Sequence, residues 1–294
     1  MPDPLVEAAP AKVNLTLRVF GRRADGYHEL ESLVVFAGCG DTLRFAPGGE
    51  LALTVQGPGA ALAGDNADNL VLKAVRALEA RSPGIRLGTF DLDKQLPVAA
   101  GLGGGSADAA AALRLIARAN GLAIGAPRFY EAARTTGADV PVCLDPRARV
   151  MRGIGELLSE PIDLPPLPAI LVNPGVAVPT KDVFANWKPQ ATPVPLDQAV
   201  LGKLKNRDLL LHFLTLQGND LETPAIAVAP VIAEVLAALR GLPGCALARM
   251  SGSGATCFAL FKTAADALIG AGMLHERHPQ WWVRATALGG SQRI

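Results

Sequence analysis

A chain of 294 residues, half of them hydrophobic and only 19% charged, has enough apolar surface for a large core; wholesale disorder is excluded, and two packed lobes are the expectation at this length. A formal net charge of +1 gives no electrostatic case for a nucleic acid or a membrane as partner. Cys39, Cys143, Cys245 and Cys257 are scattered without CxxC or Cys/His clustering, which argues against a disulfide framework or a zinc site and for small core residues in a reducing compartment.

The opening MPDPLVEAAPAK carries acids and prolines where a signal peptide needs a basic stretch and an apolar run. No segment reaches the roughly 18 uninterrupted apolar residues of a membrane span, so a cytoplasmic location is expected. From Lys12 to Phe20 the pattern alternates, with Val13, Leu15, Leu17 and Val19 on one side and Lys12, Asn14, Thr16 and Arg18 on the other. This predicts a half-buried strand. A turn-rich GRRADGYHEL follows, then short strands at Leu33 to Phe36, Thr42 to Phe45 and Leu51 to Val55, spaced as antiparallel pairs. Asn69 to Ala80 has helical spacing and Ile85 to Leu92 returns to strand.

The stretch Pro97 to Leu113, PVAAGLGGGSADAAAAL, organises the rest. Gly101, Gly103, Gly104 and Gly105 have no side chains to pack, whereas the alanine-rich half is strong helix sequence from about Ser106 to Ala119. Glycines before a helix let the main chain approach a ligand, and the unpaired N–H groups of the first turn favour an anion such as phosphate. The same pattern also forms ordinary turns. It is not a Walker loop, because Gly105 stands where the lysine before Ser106 is required, and it fits the Rossmann spacing poorly. Ser106 is either a helix cap or a hydroxyl for a phosphate or Mg²⁺, and the role of Asp108 is left open.

Beyond it, Pro127 to Thr136 predicts a helix stopped at Gly137, leading into Ala138-Asp139-Val140-Pro141. The proline-rich Asp163 to Pro168 reads as a boundary, dividing the chain into 1–163 and 164–294. Ala169 to Val172 is a strand, and a second proline-rich run covers Lys188 to Pro195. A helical region opens at Asn219-Asp220-Leu221-Glu222, with Asp220 as its cap, and Pro230 to Leu239 forms another helix. Strands at Ala246 to Arg249 and Thr256 to Phe261 flank the small-residue loop Ser251 to Ala255. A helix at Ala264 to Leu274 and a strand at Trp281 to Leu288 close the chain. His212, His275 and His278 have no partner motif and read as surface or packing residues. The class is α+β, with segregated antiparallel strands in place of strict βαβ units.

In order, the segments PAKVNLTL, DGYHEL, PVAAGLGGGSADAA, GADVPV, PTKDVF, NDLE and SGSGATCFALF resemble the GHMP kinases, the superfamily of galactokinase, homoserine kinase, mevalonate kinase and phosphomevalonate kinase, over nearly the whole chain. PAKVNL with DGYHEL and GADVPV is most similar to those members that phosphorylate the 2-hydroxyl of a sugar alcohol carrying a cytidine diphosphate, in the non-mevalonate isoprenoid route. The resemblance implies a two-lobed fold: an ATP-binding N-terminal lobe of mixed sheet and helices, and a ferredoxin-like α/β substrate lobe. It implies ATP as phosphoryl donor, with Mg²⁺ arriving on the ATP and no dedicated protein cage for the metal.

Residue by residue, the resemblance assigns catalysis to Lys12 and Asp139, the carboxylate as base and the amine to orient it and polarise the attacking hydroxyl. It assigns the ATP phosphates to Pro97-Val98-Ala99-Ala100-Gly101-Leu102-Gly103-Gly104-Gly105-Ser106-Ala107 and the adenine to Asn69 and Lys94; these last two also read as a helix cap and an exposed strand end. The loop from Ser251 to Ala255 resembles the family's third motif, near the triphosphate. Tyr27 and Phe184 offer rings for the pyrimidine and His28 hydrogen bonds for its edge, while Asn14 and Thr180 are candidate contacts to the alcohol or diphosphate. The partner implied is thus a small molecule. Oligomeric state is not encoded in any feature of the chain.

Overall fold

The structure is a computed structural model that describes residues 4–63, 68–189 and 194–290. Part of the expected proline-rich run, residues 190–193, lies outside these. Its backbone is built around one long strand. The run LVVFA at 33–37 is apolar at every position, so neither face tolerates water, and it lies inside the 20-residue β3 (His28–Pro47). β1 (Leu5–Asn14) and β2 (Arg18–Arg22) both pair with β3 antiparallel. The expected strand from Lys12 to Phe20 is therefore two strands, broken between Asn14 and Arg18, and the expected strands at 33–36 and 42–45 are one.

The supposed polar side of the first strand is not solvated: Lys12, Asn14 and Thr16 are buried. Pro10 explains the local geometry. It has no N–H to give the ladder, and the β1/β3 register slips between Pro10 and Lys12, a bulge that re-aims Lys12.

β4 (Ala52–Gln56) connects through α1 (Leu70–Glu79) to β5 (Gly88–Asp93), and β4 and β5 pair in parallel. This β-α-β crossover makes the first-lobe sheet mixed, as the family resemblance implies, beside the antiparallel pairs expected from the strand spacing. β5 also pairs antiparallel with β3. α2 (Gly104–Ala119) packs on β1, β3 and α1, and its alanines from 107 to 112 are all buried. Side chains this short let helix and sheet backbones approach closely, which is what the alanine run provides. α3 (Pro127–Thr136) and the short α4 (Val140–Cys143) follow, then β6 (Arg149–Gly153) and β7 (Leu157–Leu158).

The second lobe begins with β8 (Leu167–Asn173), buried at every position. α5 (Thr180–Asn186), α6 (Gln198–Leu201), α7 (Arg207–Thr215), α8 (Glu222–Val228) and α9 (Val231–Arg240) precede β9 (Cys245–Met250), β10 (Cys257–Phe261), α10 (Ala264–Arg277) and β11 (Trp282–Leu288). The sheet runs β4-β5-β3-β11-β8-β10-β9, joined across the lobes where Leu288 of β11 pairs with Ala37 of β3. One apolar core lies among α1, α2, α3 and the first-lobe strands, one among α8, α9, α10 and the second-lobe strands, and a third between them. No helix among the described residues is long and apolar enough to cross a membrane.

Candidate active site

A cavity of about 480 Å³ opens where the two lobes meet, and Lys12, Asn14, Asp139, the turn at 99–106 and the loop at 252–254 line it. The turn is shaped by its glycines. Gly101 (φ +75°) and Gly103 (φ +61°) occupy the left-handed region, and a Cβ on Gly101 would stand 2.6 Å from the Ser251 carbonyl oxygen. Gly103 caps α2 without a side-chain hydrogen bond, and the first helical bond is from Ala107 N–H to the Gly103 carbonyl. The N–H groups of Gly104, Gly105 and Ser106 thus precede the intrahelical ladder, at the positive end of the helix dipole. Ser106 is not the cap; its hydroxyl lines the cavity and bonds no other described residue.

Lys12 and Asp139 meet beside this turn. Lys12 Nζ donates to Asp139 Oδ1 at 3.1 Å and to Asn14 Oδ1 at 3.3 Å. The lysine side chain is 6% exposed, that of Asp139 36%, so the carboxylate faces the cavity with the buried ammonium behind it. Asp139 lies one residue past Ala138, at the N-terminus of α4, but its side chain caps nothing. Its Oδ2 has no partner among the described residues.

Loop 251–255 is latched onto the same frame. Buried Ser251 Oγ accepts from Asn14 N–H at 3.1 Å and donates to the Gly101 carbonyl at 3.0 Å, while Thr256 N–H donates to the Ala100 carbonyl. Lys12 N–H in turn donates to the Leu102 carbonyl. Three segments distant in sequence, 12–14, 100–102 and 251–256, are held in one closed set of hydrogen bonds. Asn219 and Asp220 tie the next layer: Asn219 donates to the Met250 and Gly252 carbonyls, and Asp220 accepts from Val19 N–H. Asp220 is therefore a tether to β2 and not a cap; α8 has no side-chain cap, and Asn219 Oδ1 accepts from Leu221 N–H in the turn before it.

Asn69 and Lys94 line a smaller cavity of about 220 Å³ beside the turn, with Pro97, Val98 and Asp108. Asn69 caps α1, accepting from Val71 N–H at 3.0 Å. Lys94 is not an exposed strand end. It is 4% exposed and donates to Asp41 at 2.5 Å and Asp108 at 2.6 Å. Asp41 also accepts from Gln95 and Leu96 N–H, fixing the approach to the glycine turn. Sequence reading missed Asp41, although an aspartate inside a strand is itself a signal.

Burial raises the Asp108 carboxyl to about 8, Lys94 opposing and Asp41 reinforcing the shift. Burial works against the Lys94 charge, but Asp108 and Asp41 prevail and hold it above the usual lysine range. An acid raised on folding contributes stability that is present below its unfolded pKa and lost as pH rises through the folded one. Between pH 7 and 8, above the His28 range and below the unfolded range of Lys94 and the buried cysteines, the Asp108 contribution is the one that changes. Melting temperatures measured across that interval should fall with pH in the native chain and fall less in Asp108→Asn; parallel slopes would contradict the assignment.

The remaining sequence candidates gather at the outer end. Tyr27, His28, Thr180 and Phe184 line a further cavity of about 750 Å³. Tyr27 is 60% exposed, and His28 and Phe184 stack on each other with centroids 4.6 Å apart and planes at 19°. Thr180 and Ser253 share a 2.8 Å hydroxyl–hydroxyl hydrogen bond.

The sequence profile of the GHMP kinases N terminal domain matches residues 69–145, and that of the GHMP kinases C terminal domain residues 200–277. The chain belongs to the GHMP kinase family. Its relatives within that family include 4-diphosphocytidyl-2-C-methyl-D-erythritol kinases from Rhodopseudomonas palustris, 55% identical over 293 residues (97% of this chain, 98% of the relative), and from Methylobacterium radiotolerans, 56% identical over 292 (97% and 99%). A crystal structure of a 4-(cytidine 5'-diphospho)-2C-methyl-D-erythritol kinase superposes with a TM-score of 0.80 at 34% identity, covering 98% of this chain and all of the other. The homoserine kinase of Cytophaga hutchinsonii, at 22% identity and a TM-score of 0.66 over 99% and 97%, shares the fold. The two-lobed GHMP kinase architecture, with a mixed sheet-and-helix first lobe and an α/β second lobe, is thus the architecture of this chain.

Proposed function

We infer that this GHMP kinase transfers the γ-phosphoryl group of ATP to the 2-hydroxyl of 4-diphosphocytidyl-2-C-methyl-D-erythritol, giving the 2-phosphate and ADP, in the non-mevalonate isoprenoid route. The observation that carries this reading to the residues is the Lys12–Asp139 pair, 3.1 Å apart across 127 positions of sequence and beside an uncapped, glycine-entered helix start. Phosphoryl transfer asks a protein chiefly to position two reactants and to stabilise charge. The N–H groups of the first α2 turn receive the phosphates. Asp139 orients the attacking hydroxyl through Oδ2 and takes its proton, and Lys12 holds the carboxylate in place.

The free Ser106 hydroxyl is an oxygen donor of the kind Mg²⁺ takes, and with the ATP phosphates it would hold the ion. Mg²⁺ held there would supply neutralisation of phosphoryl charge. Asn69 and Lys94, at the smaller cavity, serve the adenine. Tyr27, His28 and Phe184 serve the cytosine, and Asn14 and Thr180 serve the linking alcohol and diphosphate. We place the lobe boundary at 163/164 because the first core draws on no residue beyond Leu158, and the second, apart from Leu17, Val19 and Leu30, on none before Ile170.

A coupled ADP-release assay with the cytidine diphosphate alcohol beside mevalonate and homoserine tests the reaction. Turnover is expected with the first alone; turnover with none, despite ATP binding, would make the chain a nucleotide sensor. Tyr27→Ala or Phe184→Ala should raise KM for the cytidine substrate roughly tenfold and leave that for ATP unchanged, as loss of one stacked ring implies. A defect confined to ATP would contradict this division.

A further inference from the structure

We propose that Trp187 is a positioning residue for the cytidine end of the substrate: it fixes the His28 imidazole in one plane, and so sets which pyrimidine edge the site accepts. The inference rests on the reading of the cytidine site above. Three rings stand in file. Phe184 lies face to face with His28, and Trp187 meets the His28 ring edge-on, 5.6 Å between centroids and 81° between planes. An imidazole held by a face on one side and an edge on another has lost its free rotation about χ2. Its nitrogens can then serve only a ring placed beside it in nearly the same layer. Tyr27, 60% exposed on the same cavity, is free to cover such a ring.

The chain supports Trp187 in this place. It ends α5, its N–H donating to the Phe184 carbonyl at 3.2 Å, and it packs against the second-lobe core. Its indole Nε1 is buried with no acceptor among the described residues, a cost that ring packing offsets. Orientation of His28 matters because cytosine and uracil differ only in the polarity of one edge: a fixed imidazole, with one donor and one acceptor when neutral, distinguishes them, and a swinging one does not. Burial and the neighbouring Arg22 guanidinium both lower the His28 pKa, which favours its neutral form.

The test uses Trp187→Leu and Trp187→Phe in the full chain. Leu should raise KM for the cytidine substrate about tenfold, leave kcat and the ATP KM within about twofold, and reduce the preference for CDP over UDP as competitive ligands; Phe should restore most of the preference with no loss in melting temperature. In substrate-free protein, NMR titration of His28 should move toward the free-histidine value in Leu and not in Phe. An unchanged CDP/UDP ratio with an unchanged His28 titration in Trp187→Leu would overturn the proposal, as would equal losses for both nucleotides and ATP. A native chain that turns over no cytidine substrate while His28 responds as described would instead count against the proposed function, so the two failures are distinguishable.

Discussion

Asp139→Asn should lower kcat by about 10³-fold with little change in ATP affinity, because general-base and orienting contributions of one carboxylate are typically worth 10²–10⁴-fold. The amide is nearly isosteric and keeps an oxygen for Lys12 Nζ, so the 3.1 Å contact and the fold survive while the negative oxygen facing the cavity is lost. Lys12→Ala should cost a similar factor by a different route. The lysine is buried and bonds both Asn14 and Asp139, and its removal frees the carboxylate to rotate and leaves Asn14 Oδ1 without its donor. Lys12→Met, which fills the same space, separates the charge from the packing: equal loss in Ala and Met assigns the effect to the ammonium. ATP binding, measured by calorimetry in the absence of the alcohol, should persist in all three variants, since the proposed phosphate cradle consists of main-chain N–H groups. Near-native turnover in both Asp139→Asn and Lys12→Ala would remove the basis of the proposed mechanism.

The elements that close the second lobe were legible because their signals are local, whereas α5, α6 and α7, short helices around the proline-rich run, were not foreseen. Thr256 to Phe261, Ala264 to Leu274 and Trp281 to Leu288 carry unbroken patterns, and the strands and helix form within a few residues of those bounds. The first lobe was less so, for a reason visible in β3. A strand buried on both faces has no alternation, and the polar Gly38 to Asp41 within it looks like a turn; only the pairing of Ala8, Ala9 and Pro10 with 40–42 makes it a strand. Gly40 allows this contact, since a Cβ there would fall 2.3 Å from the Ala9 carbonyl oxygen. Lys12, Asn14 and Thr16 misled in the same way. Their alternation with apolar residues has the period of a half-solvated strand, but it records a face turned inward, Lys12 and Asn14 lining the site and Thr16 accepting from Leu33 N–H.

The glycine turn was the most legible part of the site, because chirality constrains it locally. The Lys94 environment was the least legible: three charged residues from three elements, with no spacing to join Asp41, Lys94 and Asp108. Ser251 and Trp187 belong to the same class. Each acts through neighbours supplied by a distant segment, and a serine in a small-residue loop or a tryptophan at a helix end carries no such information by itself.

Within the turn itself, two glycines should fail in opposite ways. Gly101→Ala places a side chain in left-handed backbone, with its Cβ 2.6 Å from the Ser251 carbonyl oxygen and 2.9 Å from that of Gly254. Both obstacles are main chain and cannot rotate aside. The strain costs about 1–3 kcal/mol from the dihedral alone, and the clash forces the 251–255 loop off the turn, breaking the Ser251 hydroxyl bond to Gly101. A lower melting temperature and near-complete loss of turnover are expected together. Gly105→Ala meets only Leu70 Cδ1, at 3.4 Å, and its backbone is ordinary helix, where alanine is favoured over glycine by about 1 kcal/mol. Its melting temperature should hold or rise. Its methyl group, however, enters the exposed space in front of the α2 N–H groups, so KM for ATP should rise by about tenfold or more. That dissociation, a more stable protein that binds ATP worse, is what an anion nest requires and an ordinary turn does not. Native ATP affinity in Gly105→Ala would place the triphosphate elsewhere.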